Sequence, residues 1–80
     1  VFMQEFTIHL RSVRDVNDFV ALTAPLCAIT LTDGLRVVDG KSFMEIFCLQ
    51  LSGPITVAAD CSAEDFERFR QDCLRFQSAS

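Results

Sequence analysis

The chain has 80 residues, half of them hydrophobic, and a formal net charge of −4. That is the size of one small domain with enough apolar residues for a core. The acidic balance and the absence of any basic or basic-aromatic run exclude nucleic acid as the expected partner. No apolar stretch approaches the roughly 20 residues of a membrane span, and the first residues lack the pattern of a secretory leader, so a cytoplasmic location is expected.

Met3 to Ser12 alternates, with Phe6, Ile8 and Leu10 on one side and Glu5, Thr7, His9 and Arg11 on the other, which predicts a half-buried strand. His9 then falls on its polar face, away from any helix start. From Asp15 the pattern becomes helical: Asp15 is the expected cap, Val16, Phe19, Val20 and Thr23 share a face, and Pro25 ends the helix near Ala24. Cys27, Ile29 and Leu31 alternate along the next strand. Asp33-Gly34 is a turn dipeptide, Leu35 to Val38 is the return strand, and Asp39-Gly40 closes it.

Pro54 to Asp60 is a β-branched run suited to a central strand, with proline at its tolerated first position. The last helix has Ser62 as N-cap and acidic residues in its first turn. Phe66, Phe69, Cys73 and Phe76 form its apolar stripe, and Glu64 and Arg68 make an i,i+4 pair. The order is β-α-β-β-α-β-α. The expectation is an α+β fold over residues 3–77: two layers, with a four-stranded, mainly antiparallel sheet and three helices on one face.

The four cysteines, Cys27, Cys48, Cys61 and Cys73, are widely spaced and include no Cys-x-x-Cys. Reduced structural thiols are the expectation, ahead of two disulfides. With one histidine and scattered thiols, neither a metal site nor any other cofactor is expected.

Ser42 opens the central helix. Ser42 and Glu45 fit a capping box, in which the serine caps the Glu45 amide and Glu45 reaches back. At 100° per residue, Phe43, Met44, Phe47, Cys48 and Leu51 fill one apolar arc, and Ile46 and Leu49 fill a second. A sheet covers one arc only. Ile46 and Leu49 are predicted to face the core, and Phe43, Met44, Phe47 and Cys48 to form an exposed docking patch, with Phe43 and Met44 substantially exposed.

The element order and the stretch "DGKSFMEIFCLQL" (residues 39–51) resemble the HPr family of bacterial phosphocarriers. Lys41, Ser42 and Met44 match the Lys-Ser-Ile-Met-Gly type motif that opens that family's second helix, with Phe43 in place of isoleucine and Glu45 in place of glycine. The segment "ITVAADCSAEDFERF" (residues 55–69) is similar to the family's last strand and helix.

The resemblance implies an HPr-like βαββαβα fold and a place in or near the phosphotransferase system and carbon catabolite regulation. It also implies partners among that system's enzymes or transcriptional regulators. HPr proteins carry phosphate on a histidine at the start of the first helix, and the matching stretch, Arg11 to Phe19, has none. A divergent, histidine-lacking, non-enzymatic protein-binding module is therefore the leading expectation. Arg14 is a candidate anion-binding residue beside the vacated position. Ser42 is a candidate regulatory phosphorylation site, since some members, including the Crh branch, are modified at the matching serine; a plain cap is the simpler role. The rivals are a working phosphocarrier that uses His9 or another unusual acceptor, and a domain that forms a homodimer.

Overall fold

The computed structural model describes residues 3–26 and 28–77. The elements run β1 (Met3–Ile8), α1 (Val13–Thr23), β2 (Ala28–Thr32), β3 (Val37–Asp39), α2 (Phe43–Ile46), β4 (Ile55–Asp60), α3 (Ala63–Asp72) and α4 (Leu74–Gln77). Cys27, expected to alternate with Ile29 and Leu31, lies outside the described residues.

The strands form one open sheet in the order β1-β4-β2-β3, and every pairing is antiparallel. Its register sets Phe6 beside Val57, Ile8 beside Ile55, Leu31 beside Val57 and Ile29 beside Ala59. Period-two alternation therefore carries all these apolar side chains to one face. Val16, Phe19, Ile46, Phe66, Phe69, Cys73 and Phe76 from the helices join them in a single core. Phe6 meets Phe66 and Phe69 edge-on, and Phe19 does the same with Phe76. The other face carries Glu5, Thr7, Thr30, Thr32, Thr56 and Asp60. The fold is α+β, with a four-stranded antiparallel sheet and helices on the apolar face.

The sheet differs from the sequence expectation at three places. β1 stops at Ile8, its last residue paired with β4, which itself begins at Ile55. His9 instead donates its N–H to the Phe76 carbonyl (2.7 Å). The β2–β3 connection extends through Arg36, because the Asp33 carboxylate accepts from the N–H groups of Leu35 and Arg36 and holds a turn there. Gly34 takes φ +99 in that turn, where a side chain would be strained. Asp39 belongs to β3, and Gly40 is fixed by proximity: a Cβ there would stand 2.5 Å from Ile29 Cγ2.

The helices differ in three ways as well. Ser12, not Asp15, caps α1, its hydroxyl accepting from the Asp15 N–H (3.1 Å). The expected final helix divides at Cys73, whose non-helical backbone separates α3 from α4 and makes four helices of the expected three. The apolar stripe survives the break, since Phe66, Phe69, Cys73 and Phe76 are all buried. Burial pushes the Cys73 thiol up to about 12, with the neighbouring Asp72 charge adding to it. The ion pair on α3 joins Arg70 to Glu67 in place of the expected Arg68–Glu64 pair.

Candidate functional site

The central helix is much shorter than its apolar run. α2 spans Phe43–Ile46, after which the chain continues in tight turns: Cys48 N–H donates to the Glu45 carbonyl and Leu49 N–H to the Ile46 carbonyl, both i to i+3. At three residues per turn, side chains three apart eclipse one another. Phe43, Ile46 and Leu49 therefore line up on the core side, and Met44 and Phe47 line up outside.

The burials follow that spacing. Ile46 is 0% and Leu49 6% exposed, while Met44 is 75% and Phe47 41% exposed. Cys48 is exposed as expected. Phe43 is the exception. Expected in the outer arc, it is partly buried against the core and meets the Phe47 ring edge-on at 5.0 Å. At 100° per residue Phe43 stands about 60° from Ile46, on the border of the two arcs, and it turns to the core side.

Ser42 caps α2, its hydroxyl accepting from the Glu45 N–H (3.3 Å). The reciprocal half of the capping box does not form. Glu45 Oε1 accepts from the Asp39 N–H (3.2 Å), while the Ser42 N–H donates to the Asp39 carbonyl. Lys41 donates from Nζ to the Leu26 carbonyl, which turns its charge away from the outer stripe.

Phe47 forms one wall of a cleft of about 480 Å³. Leu51 and Ser52 stand with it, and His9 to Val13 form the opposite wall. His9, predicted on a strand face, thus lies past the end of β1 and lines a cleft at the start of α1. Its sequence position gave no sign of this, because β1 ends where its partner strand β4 begins, at Ile55, far along the chain. Arg11, Ser12 and Val13, the last 62% exposed, join the site without having been singled out as binding residues.

The first turn of α1 is already supplied with acceptors. Asp15 Oδ2 accepts from the Arg11 N–H (3.0 Å), and Arg75 of α4 reaches both Asp15 (3.5 Å) and Asp18 (3.1 Å). Arg14 lies outside the cleft lining, its exposed side chain directed to Asp18 (3.9 Å). Outside the cleft lining, the Asp33 carboxylate ties the β2–β3 loop to the segment after α2 by accepting from the Gln50 N–H (2.7 Å). The N–H groups of Gln50, Arg36 and Leu35 together lower its pKa to about 2.

Among the described residues, Cys48 and Cys73 are free thiols, and no cluster of His, Cys, Asp and Glu could hold a metal ion. No helix of the described residues is long and apolar enough to cross a membrane. Compared with models of known protein families and with curated proteins, the chain matches none.

Proposed function

We propose that this chain is an HPr-like module that lacks the phospho-accepting histidine at the head of its first helix and works by binding another protein. The observation that carries the reading is the cleft lined by the exposed Phe47 and Val13 together with Leu51, with Met44 exposed on the same turn as Phe47. Flexible Met beside a flat Phe is a side-chain mix that protein interfaces favour.

Three further features support it. The sheet order β1-β4-β2-β3, with helices on one face, is compatible with the HPr-like fold. Ser12 stands at the head of α1, with its hydroxyl committed to the helix. A carboxylate, Asp15, already sits in that first turn, where it would repel a phosphoryl group. In this reading Ser42 serves as a cap rather than a switch.

The partner belongs to the phosphotransferase system, as one of its enzymes or a transcriptional regulator, and the setting is cytoplasmic. Calorimetric titration of the chain with the system's general enzyme and with its regulators tests this. Measurable binding to one of them is expected, weakened about tenfold or more by Met44→Ser with Phe47→Ser, as anchoring side chains at a patch centre require. Binding unchanged in that variant would refute the docking strip.

A second reading has one specific observation in its favour. His9 lines the cleft beside the start of α1, so an imidazole is available there after all. The chain would then be a phosphocarrier with a displaced acceptor. An acid-labile phosphate on His9 distinguishes the two.

A further inference from the structure

The two edges of the sheet are treated differently. β3 has only three residues, and its outward Asp39 N–H and carbonyl are taken by Glu45 and Ser42. Such an edge is blunted against further pairing. β1 is the other edge, six residues long and paired with β4 residue for residue, without a bulge.

The direction of its backbone groups follows from the ladder. Gly40 donates to the Ile29 carbonyl, so Ile29 and Leu31 point to β3, and Ala28, Thr30 and Thr32 point to β4. Residues 55, 57 and 59 of β4 then point to β1 and meet Ile8, Phe6 and Gln4. Met3, Glu5 and Thr7 are left pointing outward. His9 continues that outward series, and its N–H is indeed turned away from β4, to Phe76. Within β1 no lysine, arginine or proline guards the row.

We propose that β1 pairs with β1 of a second copy of this chain, antiparallel across a two-fold axis. The occupant of such an edge must bring an extended backbone. A second β1 is already a strand, so it loses little conformational freedom on pairing, and symmetry applies each contact twice. With the axis at Phe6, Glu5 faces Thr7 of the second copy, so no two carboxylates stand directly opposite, and the two Phe6 rings approach on the helix side of the sheet. The ladder ends at His9, whose N–H is already used. Because the β3 edges are blunted, assembly stops at two copies.

Sedimentation equilibrium of the full chain over a concentration series tests this, together with amide hydrogen exchange. A monomer–dimer equilibrium that stops at two is expected, with the Glu5 and Thr7 amides slowing as concentration rises. Thr7→Pro removes an outward donor and no bond to β4, and should weaken the dimer about tenfold or more. Thr7→Lys, facing Glu5 of the second copy, should tighten the dimer, and Thr7→Glu should weaken it; both change only an exposed side chain. A chain that stays monomeric throughout overturns the proposal. So does a dimer that tolerates Thr7→Pro, leaves the Glu5 and Thr7 amides unprotected, or responds alike to Lys and Glu.

Discussion

Met44 and Ile46 stand two residues apart and face opposite ways, one into solvent and one into the core. Truncating Ile46 to Ala removes packed methyl groups from a site that cannot collapse, at a cost of roughly 2–5 kcal/mol. Met44→Ser removes no core contact and should stay within about 0.5 kcal/mol. Urea denaturation of the two variants checks the pair; comparable losses would place Met44 in the core. The inward role of Ile46 and Leu49 was legible in the sequence, because a short run with two apolar sides can hide only one. Phe43 was not. It stands about 60° from Ile46 at helical spacing, on the border of the two arcs, and the side to which a border residue turns is set by what packs beside it in the fold.

At the scale of elements, caps and strands that rest on neighbours in sequence were readable, and boundaries that rest on distant partners were not. Ser62 could be recognised as a cap because the Asp65 N–H it receives is three residues away. The end of β1 depends on where its distant partner β4 begins, and the division of the last helix leaves its buried stripe intact, so hydrophobic spacing could not reveal either. The β2–β3 loop depends on Asp33, whose carboxylate holds its own turn and reaches across to Gln50. Its pKa is lowered from 3.8 to about 2, so the folded state favours the ionised form. That contribution is fully present above the unfolded value and is lost as pH falls through about 2. Asp33→Asn should therefore lower the urea midpoint at neutral pH and flatten its fall below about pH 4. A variant whose acid profile matches the parent would show that these hydrogen bonds do not favour the carboxylate.

Across the whole molecule, the helix layer closes over one sheet face and leaves three surfaces with different characters. The polar open face needs no cover. The β1 edge offers backbone hydrogen bonds, and the cleft between α1 and the loop after α2 offers apolar side chains. The sequence pointed to the Phe47 and Leu51 half of that cleft through its surplus of apolar residues. It could not show the His9–Val13 half, because the two are joined only by the fold. The proposed function depends on whether this cleft docks a protein or passes a phosphoryl group. Both outcomes register in one heteronuclear NMR titration of the isotope-labelled chain with the general phosphotransferase enzyme and phosphoenolpyruvate. Shifts centred on Val13, Met44 and Phe47 are expected, with the His9 ring nitrogens unchanged in chemical form. A phosphohistidine signal from His9 would overturn the docking role.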